Sequence, residues 1–313
     1  MVSQLTNEAN GSDEDLVLAG LRRGLGRDGI PIPVHQTLGI EVCGAAAGSA
    51  VVRVPTSPHL AAPDGGLVPG AFAVLADACC GCAIAAALPA GGAALSAQLR
   101  VEFIRPLPAG RAWIEGRAEA DAIEDDSGLA RAEIVDEADQ LLGVASLRVI
   151  KASHQGFRQP APAPAPHAPP SHTPAPHAPD RHLAQTPVAQ LLGVVSRQAD
   201  SGHSAWTFRP SPAAANSFGM VHGGVLGLLA HEVASDAQRS LIGPGEELVP
   251  LDLVVNFYRG VPASERLAAA TARVTHRGRR FVVAEGEVAG PDGRPALRLS
   301  VGAQVRSTPR PGE

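Results

Sequence analysis

The sequence predicts an α+β fold in which one domain occurs twice. The chain has 313 residues, which at about 100–200 residues per domain favours two domains. Residues 160–179 contain nine prolines, interleaved mainly with Ala and His, and divide the chain into two halves. The halves align at a constant offset of 154, and 22 of the 77 ungapped positions from 33 to 109 are identical. A tandem duplication explains this identity.

Each half predicts the same order of elements. A short element before a Leu-Gly pair leads through a loop to a long apolar helix, predicted at 70–88 and at 224–241. Alternating apolar residues then predict antiparallel strands around Leu99 and Leu253. Further strands are predicted at 112–121, 130–135, 142–150, 267–274, 280–288 and 296–305. The first helix is apolar nearly all round, which indicates a helix enclosed by its sheet.

These features also set the predicted domain boundaries. They give an N-terminal tail or helix at 1–29, a first domain at 30–153, a linker at 154–183 and a second domain at 184–308. The linker is rich in Pro, Ala and His, and proline can enter neither a helix interior nor a central strand. Three histidines recur in it every five residues, but we interpret the segment as a solvated spacer rather than a metal site.

Composition excludes several classes of function. The formal net charge is −5 and only ten residues are aromatic, so nucleic acid is not an expected partner. The N-terminus is acidic rather than basic, and the longest apolar stretch is broken by Pro69, Gly70 and Asp77, so neither a signal peptide nor a membrane span is predicted. Three of the four cysteines share one tetrapeptide, 79–82. We expect a cytoplasmic protein without metal or cofactor.

One motif in the second half carries chemistry. Asn216 is followed by Gly219 and then by His222, Gly223 and Gly224, where a loop enters the long helix. Glycines at such a turn let the backbone approach a ligand and direct unpaired N–H groups at it. The helix start also carries partial positive charge, which can stabilise an oxyanion that develops on a carbonyl. The motif therefore indicates a possible site for carbonyl chemistry.

The pattern Asn-x-x-Gly-x-x-His-Gly-Gly-x-x-x-x-Leu-Ala resembles the signature of the hotdog-fold acyl-CoA thioesterases, in the phenylacetyl-CoA and 4-hydroxybenzoyl-CoA thioesterase branch. The resemblance covers about 30–150 and 185–307. It implies a tandem double hotdog, with each half a long central helix wrapped by an antiparallel β-sheet. In that family two units pair through their sheets and the active site lies at the seam. One unit supplies the Asn and a Gly amide, and the other supplies a carboxylate and often a Ser or Thr.

Transferred position by position, the pattern is divided between the halves. The second half has Asn216, His222 and Gly223, and the first half has Asp77 at the carboxylate position and Ser96 at the hydroxyl position. The opposite combination would join Ala62, Val68 and Pro69 to His231 and Pro250, all of which differ from the family pattern. This complementary loss predicts one composite site per chain.

The resemblance implies a role for each of these residues. The Gly223 amide would polarise the thioester carbonyl, and Asp77 would act as general base or as nucleophile. Asn216 would orient the water or Asp77, and Ser96 would hydrogen-bond the carboxylate or the water. His222 and Gly224 would contact the substrate. Glu232, one residue beyond the second carboxylate position, is interpreted as structural or as a remnant.

Two other functions stay open at this point. A non-catalytic acyl-CoA-binding protein is consistent with the degraded second seam. An acyl-thioester dehydratase or hydratase is suggested by residues 67–70 (Leu-Val-Pro-Gly), but His59 lies ten positions before Pro69 and fits that pattern poorly. Ala and Gly residues on the first helix hint at a bulky or aromatic acyl group. Both a monomer and a homodimer of double hotdogs are consistent with the sequence.

Overall fold

The computed structural model describes residues 19–21, 31–62, 65–88, 92–106, 109–153, 186–264 and 266–307. Most of the predicted N-terminal tail (1–29) and the whole predicted linker (154–183), with its three histidines, lie outside these residues. Residues 19–21 are helical. No helix in the described ranges is long and apolar enough to cross a membrane.

From residue 31 to 153, the described part of the first half contains two α-helices and six strands. Its elements are α1 (Pro33–Leu38), β1 (Glu41–Ala46), β2 (Ser49–Pro55), α2 (Ala71–Ala87), β3 (Gly92–Phe103), β4 (Trp113–Ile123), β5 (Ser127–Asp136) and β6 (Leu141–Ser153). Proline at the first position starts α1, and Gly39 ends it at a φ of +68°, a left-handed conformation that favours glycine. Helix α2 ends where Leu88 turns extended before Pro89.

The second half repeats this order. Its elements are α3 (Pro187–Leu191), β7 (Val194–Asp200), β8 (His203–Phe208), α4 (Gly223–Arg239), β9 (Glu246–Phe257), β10 (Ala268–Arg277), β11 (Phe281–Ala289) and β12 (Pro295–Ser307). A short 3-10 turn follows β2 at Pro58–Leu60 and β8 at Pro212–Ala214. The predicted α+β class and all eight predicted strand regions are present. Helix α4 ends two residues earlier than expected, because Ser240 closes its last turn.

All twelve strands form one antiparallel sheet that joins the halves. The strand order is β1-β2-β4-β5-β6-β3-β9-β12-β11-β10-β8-β7, so the second half mirrors the first. Strands β3 and β9 pair at the centre, with Arg100 opposite Val254, two positions related by the same offset of 154. A pseudo-twofold axis therefore passes through this pair. The helix-facing residues of these strands, such as Leu99 and Leu253, are fully buried.

Helices α2 and α4 cross at glycines, which lets the two halves approach closely. A Cβ atom on Gly224 would lie 2.6 Å from the Val74 Cα, and one on Gly227 would lie 2.8 Å from the Ala73 Cβ. On the symmetric side, a Cβ on Gly70 would lie 3.1 Å from the Leu228 Cα. Side chains at these positions would separate the helices, so the glycines hold the start of the second helix against the first turn of the first helix.

The Gly224→Ala substitution is expected to destabilise the protein by about 1–3 kcal/mol, since its new methyl group meets backbone. Gly81 in α2 provides a matched control, because a Cβ there would meet nothing within 4 Å. The Gly81→Ala variant should gain about 0.5–1 kcal/mol from helix propensity alone. Urea denaturation measures both changes. Equal stability of the Gly224→Ala variant and the wild type would contradict the close crossing.

Candidate active site at the seam

A cavity of about 180 Å³ lies between the two halves. The first half contributes one face of α2, the start of β3, two residues of β6 and one residue of α1. The second half contributes the loop 216–218 and the start of α4. Five of the predicted site residues line this cavity, namely Asp77, Ser96, Asn216, His222 and Gly223. The sixth, Gly224, lies behind this wall.

The Asp77 carboxylate is the centre of the polar end of the cavity. The side chain is 6 % exposed, and each of its oxygens has a donor. The Ser96 hydroxyl donates to Oδ1 at 2.7 Å, and the Gly224 backbone N–H donates to Oδ2 at 2.8 Å. A buried carboxylate is costly without such partners. Both halves are therefore needed to satisfy it, one through β3 and the other through the helix start.

His222 lies beside the same carboxylate. It is the N-cap residue of α4, and its Nδ1 atom is 3.2 Å from the Asp77 Oδ2. Burial lowers the pKa of His222, and the charge of Asp77 opposes that shift only in part. As the N-cap, the His222 Nδ1 accepts from the Gly224 N–H at 3.2 Å, the same amide that donates to Asp77. His222 thus helps position this amide, and a neutral ring also suits the predicted contact with substrate.

Gly223 and Gly224 have different hydrogen-bonding roles. The Gly224 N–H is committed to Asp77, so the geometry gives Gly224 a positioning contact rather than the predicted contact with substrate. The N–H of Gly223, the first residue of α4, has no acceptor among the described residues. It lies in the cavity wall. An unpaired amide at the positive end of a helix is suited to a carbonyl oxygen of a ligand.

Asn216 shapes the loop rather than contacting Asp77. Its Oδ1 accepts from the backbone N–H groups of Phe218 at 2.9 Å and of Met220 at 3.2 Å. Asn216 also lines the cavity, together with Phe218. The geometry therefore supports a role in fixing the loop.

His35 is a cavity residue that sequence reasoning missed. It lies in α1, is 3 % exposed, and its ring centroid is 5.8 Å from that of His222. Neither ring nitrogen has a hydrogen-bond partner within the part of the chain that the structure describes. The signal available in the sequence was the aligned pair His35 and Ala189. An imidazole replaces a methyl group there, in a motif that the two halves otherwise share closely.

The cysteines serve packing. Cys79, Cys80 and Cys82 are buried free thiols in α2, and Cys82 also lines the cavity. Burial raises the pKa of Cys82 to about 12, so this thiol is protonated at neutral pH. Buried, protonated thiols of this kind pack as small apolar groups. Among the described residues, no group of three or more His, Cys, Asp or Glu is placed to hold a metal ion.

The pseudo-twofold axis relates the Asp77 site to a second seam, where different side chains lie. His231, at the position equivalent to Asp77, is buried, with its Nδ1 3.4 Å from the Glu232 Oε1 and 3.4 Å from the Ser235 Oγ. Its ring also packs against Phe103, at 5.7 Å between centroids. Burial raises the pKa of Glu232, but His231, Arg239 and Arg197 lower it by more, so its pKa lies below the ordinary value.

Charged side chains occupy the helix face that would correspond to the cavity wall. Asp236, equivalent to Cys82, accepts two hydrogen bonds from Arg197 and a third from the Trp206 Nε1 at 2.9 Å. Arg239, equivalent to Ala85, donates to the same carboxylate at 3.0 Å. The first seam has Ala78, Gly81 and Ala85 where the second has Glu232, Ser235 and Arg239. Small residues therefore line the cavity on α2, and a network of charged side chains lies on the equivalent face of α4.

Comparisons with known proteins agree with this architecture. The family profile of the thioesterase superfamily matches residues 218–296, and that of the acyl-CoA thioesterase C-terminal domain matches residues 41–146. No curated protein matches the chain in sequence.

Solved structures match across both halves. The acyl-CoA thioesterase II TesB2 from Mycobacterium marinum has a TM-score of 0.59 and 12 % identity, over 88 % of this chain and 98 % of its own. The tesB protein of Mycobacterium avium subs paratuberculosis has a TM-score of 0.57 and 14 % identity, over 87 % and 98 %. A conserved protein with a hot dog fold from Alicyclobacillus acidocaldarius has a TM-score of 0.56 and 15 % identity, over 83 % and 94 %. At these identities the likeness establishes the fold.

The unpaired His35 gives a testable pH dependence. Burial, reinforced by the neighbouring His222, lowers the pKa of His35 to about 3, against about 6.5 in an unfolded chain. Between these values the unfolded chain binds a proton that the folded chain does not, so stability falls as pH falls. The free energy of unfolding of wild type relative to His35→Phe should drop by about 1.4 kcal/mol per pH unit below about pH 6. Urea denaturation at pH 7, 6 and 5 measures this, and a constant difference would contradict it.

Proposed function

We propose that the chain hydrolyses an acyl-CoA thioester at one composite site, in keeping with the two thioesterase family profiles that each match part of one half. In this proposal residues 30–153 and 184–308 are two hotdog domains in tandem, with 154–183 as the tether. The observation that carries the proposal is the buried Asp77 carboxylate of one half, hydrogen-bonded to the helix start of the other at 2.8 Å. Beside it lies the free N–H of Gly223.

The helix start of α4 supplies the oxyanion site. A thioester carbonyl directed at the Gly223 N–H would receive a hydrogen bond together with the positive end of the helix dipole. Both become more favourable as negative charge develops on the oxygen during attack. The adjacent Gly224 N–H cannot take this role, because Asp77 already accepts its hydrogen bond.

Asp77 activates the attack on the acyl carbon. As a general base it takes a proton from a water whose oxygen bonds to that carbon; as a nucleophile it attacks directly and forms an anhydride that water then opens. In both routes the carbon–sulfur bond breaks, and the coenzyme A thiolate leaves and takes up a proton. Ser96 holds the Asp77 Oδ1 at 2.7 Å, which fixes the carboxylate toward the cavity.

The apolar end of the cavity would hold the acyl group. Its walls include Ala78, Gly81 and Ala85 of α2 and Leu147 and Val149 of β6. A volume of about 180 Å³ is comparable to an apolar cavity of about 150 Å³ that holds benzene. We therefore expect an acyl group of the size of one aromatic ring or a medium-length chain.

The same geometry bears on the alternative of a non-catalytic binding protein and on the oligomeric state. A non-catalytic binder would have no use for a buried, fully hydrogen-bonded carboxylate beside a free helix-start amide, so hydrolysis is favoured. A single chain supplies every residue of the proposed site, and a monomer is sufficient for activity. The four free cysteines support a reducing, cytoplasmic setting.

The Asp77→Asn substitution should lower kcat for acyl-CoA hydrolysis about 100-fold or more, because the amide can neither take a proton nor attack. A panel of acyl-CoA thioesters with colorimetric detection of released thiol measures this. The matched control is His231→Gln at the equivalent position of the other seam, which should keep kcat within about threefold.

Three outcomes would count against the proposal. Full turnover by the Asp77→Asn variant would contradict the composite site. Stabilisation by acyl-CoA without any release of thiol would identify a binding protein. Hydration of an enoyl thioester without release of coenzyme A would identify the hydratase class.

Filling the cavity at Gly81 should shorten the range of accepted acyl chains. A side chain there points into open space, one helical turn from Asp77. The Gly81→Leu variant should lose about tenfold or more in kcat/KM for octanoyl-CoA and stay within about threefold for butanoyl-CoA. Gly81→Ala, which adds only a methyl group, is the control and should cause a smaller loss for octanoyl-CoA. Equal losses for both substrates would place the acyl chain elsewhere.

A further inference from the structure

His35 contributes to the cavity two polar atoms that the hydrolytic mechanism does not use. The imidazole is 3 % exposed, and both Nδ1 and Nε2 are buried without a partner among the described residues. A buried polar group left without a hydrogen bond is destabilising. Its ring lies in the wall of the cavity, so a ligand in that cavity could satisfy it.

The fold does not require a histidine at this position. Helix α3 of the second half has the same start, Pro-Val, and carries Ala189 in place of His35, buried to 1 % exposure. Each of these helices packs on the 3-10 turn of the other half, α1 on Pro212–Ala214 and α3 on Pro58–Leu60. The imidazole therefore belongs to the seam that holds Asp77, and the methyl group belongs to the seam that does not.

The place of His35 indicates which part of a ligand it meets. Its ring centroid is 5.8 Å from that of His222, and the His222 Nδ1 is 3.2 Å from the Asp77 Oδ2. His35 thus lies near the reacting end of the cavity, one side chain away from the carboxylate. A neutral imidazole offers one donor and one acceptor, which complement a hydroxyl group, and its donor alone complements a keto group.

We propose that His35 binds a hydroxyl or keto substituent on the acyl group, close to the thioester carbonyl, and selects such substrates over unsubstituted ones. This specificity rests on the proposed thioesterase function. A site with an unsatisfied polar group discriminates against a substrate that lacks the matching group, because that substrate leaves the imidazole unpaired. His35 is then a specificity residue, while Asp77 and the Gly223 amide carry out hydrolysis.

Paired substrates test this directly. We expect wild-type kcat/KM for 2-hydroxy- or 3-hydroxybutanoyl-CoA to exceed that for butanoyl-CoA about tenfold or more, the equivalent of one hydrogen bond. The His35→Phe variant should abolish this preference, with equal kcat/KM for the hydroxyacyl and the unsubstituted substrate. His59→Phe is the matched control, since His59 has one buried unpaired nitrogen outside the cavity wall; it should retain the preference.

Stability separates this role from a structural one. Without ligand at pH 7, the His35→Phe variant should have a Tm equal to or higher than that of the wild type, because the substitution removes two unpaired buried nitrogens. If phenylalanine does not fit, His35→Ala, which copies Ala189, provides the same kinetic comparison. Absence of a hydroxyl preference in the wild type would overturn the proposal, as would an equal loss of kcat for both substrates, which would mean that His35 holds the attacking water. Absence of thiol release from every thioester would instead overturn the proposed function itself.

Discussion

The molecule depends on how one buried carboxylate is satisfied. Asp77 lies inside an apolar helix, where an unpaired charge is expensive, and its partners come from both halves: Ser96 on β3 and the Gly224 amide at the start of α4. The amide reaches it only because Gly224 and Gly227 allow the two helices to cross almost in backbone contact. The hydrogen bonds of Asp77 therefore depend on the helix crossing and on the central β3–β9 pairing, which together hold the two halves in place.

The duplication explains why two similar halves produce unequal seams. The pseudo-twofold axis generates two equivalent places for a site, and the side chains on the helix faces make them different. Ala78, Gly81 and Ala85 leave room along α2, whereas Glu232, Ser235 and Arg239 fill the corresponding face of α4. The ion pair of Arg197 with Asp236 ties this second face to the sheet. This face of α4 thus carries a buried ion pair where the first half has the cavity.

Periodicity and the repeat were sufficient to predict the α+β class and the repeated order of elements, because alternating residues located the strands and the offset of 154 related the two halves. The pairing of the two halves through their sheets was implied by the family resemblance. Residue types at the motif positions also anticipated that Asp77 and His222 meet. The role of Gly224 was harder to foresee, since the choice between two successive amides depends on sub-ångström placement. His35 was missed because its significance comes from burial and from the absence of partners, which one sequence does not display.

The number of ligands bound per chain tests the central claim of a single composite site most directly. Titration calorimetry with 2-oxononyl-CoA, a thioether ketone that corresponds to octanoyl-CoA and cannot be hydrolysed, measures that number without turnover. One molecule bound per wild-type chain, with binding lost in the Gly81→Leu variant, is the result that the structure predicts. Two molecules bound per chain, or one molecule whose binding Gly81→Leu leaves unchanged, would contradict it.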